Sequence, residues 1–115
     1  MALEWLEERG QKILYVDYRG QSEPQMLEQL ERVVVTLRNA GGTPFIVDIT
    51  NGAVGSKFMA RAKEVGPELE RLAPKQAIVG VDGIKAILLK AYNAVVGGRM
   101  RPFPSVADAV AYLAS

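Results

Sequence analysis

The chain has 115 residues, 49% of them hydrophobic, and 14 basic against 13 acidic side chains give a net charge of +1. That length suits one domain able to bury its own core. Cysteine and histidine are both absent, which excludes disulfides, thiol chemistry, Cys-ligated zinc, the usual zinc hydrolase sites, and Ser-His-Asp or Cys-His triads.

The first apolar segment, Leu3–Glu8, fits either a strand pairing with the next run across Arg9-Gly10 or a helical turn; the hairpin is the preferred reading. Residues 12–18 form a β-branched and aromatic run closed by Arg19-Gly20, which reads as a strand. A helix is predicted next. Pro24 suits its first turn, Leu27, Leu30, Val34 and Leu37 recur on one face, and Gly41-Gly42 stops it. Residues 43–50 form the next strand, followed by a loop from Asn51 to Gly55. A helix then starts near Ser56 with Phe58, Ala62, Val65, Leu69 and Leu72 inward, and Pro67 is expected to kink or break it near Gly66.

Residues 76–81 are apolar almost throughout, as in a strand covered on both faces. After Asp82-Gly83, a helix is predicted with Ile84, Ile87, Leu88, Ala91 and Val95 as its core stripe, ending at Gly97-Gly98. Residues 99–103 form a last strand, placed at a sheet edge by Pro102, and Ser105 caps a final helix with Asp108 three residues on. In that helix Val106, Ala109, Val110 and Leu113 face inward. Strands separated by single helices are normally parallel. The expected fold is therefore one α/β domain over residues 1–115. It has a single, mostly parallel or mixed sheet of four or five strands with four helices.

The charge balance does not indicate nucleic acid as a partner or an anionic membrane surface. No stretch reaches the length of a membrane span and the N-terminus lacks a signal-peptide pattern, so a cytoplasmic location is expected. Neither a cofactor nor a bound metal is expected. Ser56, near a helix start, is a phospho-acceptor candidate because a phosphate there would meet free N–H groups; the plain alternative is a helix N-cap. Asp17, Asp48 and Asp82 lie at or near the C-terminal ends of three predicted strands, the ligand edge of an open α/β sheet. A magnesium-dependent phosphotransfer site needs such carboxylates to converge; turn and capping roles are the simpler account. Gly80-Val-Asp-Gly83 with Lys85 lacks the spacing of a P-loop and reads as a strand-to-helix turn. Beyond the core stripe of the third helix, Leu89, Tyr92 and Val96 form a second apolar face, with Lys85, Lys90, Arg99 and Arg101 as a basic rim. That face is a candidate surface for a protein partner or homodimer, unless a neighbouring helix covers it.

The segment from Ala77 to Arg99 (AIVGVDGIKAILLKAYNAVVGGR), with Pro102-Phe103 and Ala109-Val-Ala-Tyr-Leu113, resembles the C-terminal half of SpoIIAA-like proteins. These belong to the wider STAS group of sulfate transporter and anti-sigma factor antagonist domains. Val16-Asp-Tyr-Arg-Gly20 is similar to their early strand. The resemblance implies a mixed sheet flanked by helices and a protein-binding, non-enzymatic role. The Asp-Ser-x-Gly phosphorylation motif of true antagonists is missing, and the comparable loop reads Asn51-Gly-Ala-Val-Gly-Ser-Lys-Phe58. The resemblance also leaves a second role open, carriage or sensing of a lipid or other apolar ligand, since SpoIIAA-like proteins are similar in fold to lipid-carrying domains.

Overall fold

The computed structural model describes residues 3–73 and 75–115. Nine elements follow in the expected order: β1 (Leu3–Glu8), β2 (Gln11–Asp17), α1 (Glu23–Asn39), β3 (Phe45–Asp48), α2 (Ser56–Leu72), β4 (Gln76–Val79), α3 (Ile84–Val96), β5 (Arg101–Phe103) and α4 (Val106–Leu113). The sheet order is β1-β2-β3-β4-β5, with β1 antiparallel to β2 and every other pair parallel. This is the mixed five-stranded α/β architecture with four helices that the chain order implies.

Local chemistry accounts for the element ends. Arg9 and Gly10 both have positive φ, 53° and 76°. Two such residues in a two-residue loop make the tight turn whose twist matches paired antiparallel strands, so Leu3–Glu8 is a strand and not a helical turn. Ser22 caps α1 in a reciprocal box with Gln25, and Pro24 sits in the first turn. The Ser105 hydroxyl accepts from the Asp108 N–H at 3.2 Å and starts α4. Pro102 lies on β5, an edge strand, where a missing N–H is tolerated.

Strand order fixes where the helices go. Each right-handed crossover steps one strand in the same direction, so α1, α2 and α3 all fall on one face of the sheet. Leu14, Val16, Phe45 and Ile78 meet them there in the larger core. The other face carries α4 alone, whose Ala109 and Leu113 pack on Ile13, Ile46, Ala77 and Val79. All four residues of β4 are buried, since both faces are covered at that point.

One expectation fails in part, for the break but not the kink, and one outright. α2 runs unbroken through Pro67. Proline removes the bond to the Lys63 carbonyl and crowds that carbonyl, but buried Val65 and Leu69 on either side hold the two halves against the core. α3, in turn, is rotated from its expected phase: Ile84, Ile87 and Val95 are 67%, 63% and 62% exposed, while Tyr92 and Val96 are the buried residues. Among the described residues, no helix is long and apolar enough to cross a membrane.

Candidate functional site

The carboxylates at the C-terminal edge of the sheet come first. Asp17 and Asp48 are register partners on β2 and β3, side by side. Each is already engaged. Arg19 grips Asp17 through two side-chain bonds of 2.9 Å and one backbone N–H bond of 3.0 Å. The hydrogen-bonded guanidinium lowers the Asp17 pKa below the usual carboxylate value. Asp48, almost fully buried, accepts from the Tyr15 hydroxyl at 2.9 Å and from the Thr50 N–H and hydroxyl at 3.1 and 2.7 Å. Asp82 is exposed in the turn before α3, where its carbonyl accepts from the Lys85 N–H at 2.9 Å. Asp17 and Asp48 are therefore held in internal hydrogen bonds, whereas the Asp82 side chain is exposed and bonds to no described residue. Among the described residues, no group of three or more acidic side chains gathers as a metal site.

Gly80 also belongs to the frame. Its φ is 90°, and a Cβ there would lie 2.5 Å from the Thr50 nitrogen, so the turn after β4 packs directly on the turn after β3. The Gly80-Val-Asp-Gly83 segment is a strand-to-helix turn.

Ser56 is the first residue of α2 and exposed, not its N-cap; Gly55 holds that position without a side-chain bond. The cap comes from elsewhere in the chain. The Glu23 carboxylate, from the first turn of α1, accepts from the Phe58 N–H at 2.9 Å. Gly55 is needed to admit it, because a Cβ at that position would collide with the Glu23 carboxylate. The positive end of α2 is thus neutralised by a resident anion, and a phosphate on Ser56 would meet like charge there.

The candidate surface on α3 is rearranged. Tyr92 and Val96 are core residues, 7% and 9% exposed, and Leu89 is half-buried against the same core. They cannot form a docking face. The contact that buries them is specific: a Cβ on Gly66 of α2 would collide with Val96 and lie 3.1 Å from the Tyr92 hydroxyl. A glycine in the middle of α2 lets the two helices approach closely at that point. Lys85 turns inward and donates to the Ile49 carbonyl at 3.0 Å. Arg101 stacks on the Tyr112 ring, 4.7 Å from its centroid, on the α4 side of the sheet. Arg99 is exposed just beyond the helix. What α3 presents outward instead is Ile84, Ile87, Ala91 and Val95, a stripe at spacings of three and four along the helix. The expected core stripe and the expected surface have exchanged places.

A second feature lies beneath α3. A cavity of about 80 Å³ opens between the sheet, α2 and α3, lined by apolar side chains including Val47, Ile49, Phe58, Ile78 and Leu89. Its polar side chains are Tyr18, Tyr92 and Lys85. Tyr18 is 2% exposed and packs edge-on to Phe58 at 5.4 Å, yet its hydroxyl makes no hydrogen bond among the described residues. Burial pushes the Tyr92 phenol up to about 12 and Tyr18 further still. Val54, Met59 and Leu88 also line an open surface groove with Ser56 and Lys63, so the cavity reaches solvent between the start of α2 and α3. A volume of this size falls well below the roughly 300 Å³ at which drug-sized sites begin. The cavity by itself has room for a small fragment.

Comparison with known proteins returns no matching protein-family model, no matching curated protein and no matching solved structure.

Proposed function

We propose that the chain is a non-catalytic protein-interaction module of the SpoIIAA-like type, docking its partner on the outer face of α3. One observation carries the reading. Ile84, Ile87 and Val95 are each more than 60% exposed on a single helix face, and large apolar side chains clustered in this way mark contact sites. The absence of histidine and cysteine and the structural engagement of Asp17 and Asp48 support a binding role over a catalytic one. The resemblance of residues 77–99 to SpoIIAA-like proteins supports it too.

Charge selects the kind of partner. On α3 Lys90 is exposed and no acidic residue accompanies it, Arg99 follows the helix, and Lys63 lines the adjoining groove. Two copies meeting through α3 would bring these cations together, which disfavours a homodimer on this face. The partner that fits is an amphipathic helix with acidic residues flanking its apolar stripe. A fluorescent peptide of about four helical turns, leucine-striped and glutamate-flanked, tests this by anisotropy. Binding is expected for the wild type and lost in Ile87→Glu, with a lysine-flanked peptide binding at least about tenfold more weakly. Equal binding of the two peptides, no binding of either, or a stable dimer dissociated by Ile87→Glu would overturn the reading.

A further inference from the structure

The cavity under α3 has a chemistry of its own, independent of the outer face. Its polar side chains are two phenols and one ammonium, and no carboxylate or amide lines it. Buried tyrosine hydroxyls normally find a partner. Tyr18 and Tyr92 are 2% and 7% exposed and their hydroxyls bond to no described residue, although neither oxygen is wholly shut off from solvent. Lys85 is also incompletely matched. Its ammonium has three N–H donors; one meets the Ile49 carbonyl at 3.0 Å, and no carboxylate pairs with it among the described residues. Half-buried in an apolar setting, that charge lacks a counter-ion.

Size narrows the ligand further. An engineered apolar cavity of about 150 Å³ takes benzene, so about 80 Å³ has room for roughly half as many carbon atoms. The missing complement is an anion carrying a short hydrocarbon group. We infer that this cavity binds a short-chain monocarboxylate, with an alkyl group of about three carbons among Val47, Ile78 and Leu89. Its carboxylate is directed to the Lys85 ammonium beside the Ile49 carbonyl. The pairing supplies both what the void lacks in packing and what Lys85 lacks in charge.

The chain's isoleucines make the test direct. Ile49 and Ile78 line the cavity, Ile84 and Ile87 lie on the outer face of α3, and Ile13 and Ile46 lie in or beside the α4 side of the core. Protein labelled at the isoleucine methyls is titrated with sodium isobutyrate and with its neutral isostere isobutyramide. Isobutyrate is expected to shift Ile49 and Ile78 saturably with a dissociation constant on the order of 1 mM, leaving Ile84 and Ile87 in place. Isobutyramide should bind about tenfold more weakly, and Lys85→Met should weaken isobutyrate by a similar factor. No saturable shift at Ile49 and Ile78 would overturn the proposal. So would equal affinity of the wild type for acid and amide, a result that stands whether or not Lys85→Met folds. Ile87→Glu should leave isobutyrate binding unchanged, which separates this site from the docking face.

Discussion

Two neighbouring seams in the helical layer are closed by different physics. Between α1 and α2 the outer rim is charged: Arg38 holds Glu68 through bonds of 2.5 and 2.7 Å, and Arg61 holds Glu31 at 2.7 and 2.9 Å. Below that rim Val33, Val34, Val65 and Leu69 are buried. Between α2 and α3 there is no ion pair among the described residues. Gly66 brings Val96 and Tyr92 into close contact, and an apolar cavity that Tyr92 also lines is left beside them. The first seam is finished on its own. The second leaves a void beneath α3 and an apolar stripe above it, and both proposed contacts fall there.

Alkaline pH should break the second seam hardest, because Tyr18 and Tyr92 both lie within it. Burial raises both phenols, and burial with the hydrogen bond to Asp48 raises Tyr15 on the other face. The unfolded chain releases these protons near pH 10, whereas the folded state keeps them. Stability is therefore intact below about pH 10 and falls as pH climbs above it. Tyrosinate absorbance should rise together with loss of near-ultraviolet circular dichroism near pH 12. Ionisation of all the tyrosines near pH 10 with the fold intact would contradict the assigned burial.

Next in size is Gly66→Val, which places branched carbons against Val96 and the Tyr92 hydroxyl. Overpacking of this kind costs about 2–3 kcal/mol, measurable by urea denaturation. If the variant is as stable as wild type, the close approach of α2 and α3 is wrong. Glu23→Gln removes the charged cap from the α2 N-terminus and should cost about 1 kcal/mol. Combining it with Ser56→Asp should restore part of that loss, since the second carboxylate would then meet an end of α2 with no resident anion. The smallest stability effect is expected from Ile87→Glu, within about 0.5 kcal/mol because the side chain already faces solvent. The same change should abolish binding of the acidic peptide. Salt sharpens the contrast between the seams: Arg38→Ala should lose its effect in about 1 M salt, and Gly66→Val should not.

The order of elements was readable from the chain because Gly and Pro punctuate it and the strands carry dense apolar runs. The phase of α3 was not. Lys85, Lys90 and Asn93 alone break its apolar surface, so periodicity offers several faces and no means to choose. Tyr92, which the chain read as a surface residue, is core, and Ile84 and Ile87, read as core, are surface. A signal was present in Gly66, read only as part of a proline kink, whose missing side chain marks the point of contact with α3. The cap on α2 was hidden for another reason: Glu23 and Phe58 are 35 residues apart. The cavity was out of reach altogether, since a void belongs to packing and has no motif.

The docking claim is tested most directly by the isoleucine methyl spectrum during titration with the glutamate-flanked amphipathic peptide. Ile84 and Ile87 are expected to move first and furthest, while Ile13 and Ile46 stay fixed. Movement confined to residues away from α3, or no movement at peptide concentrations of about 1 mM, would contradict it.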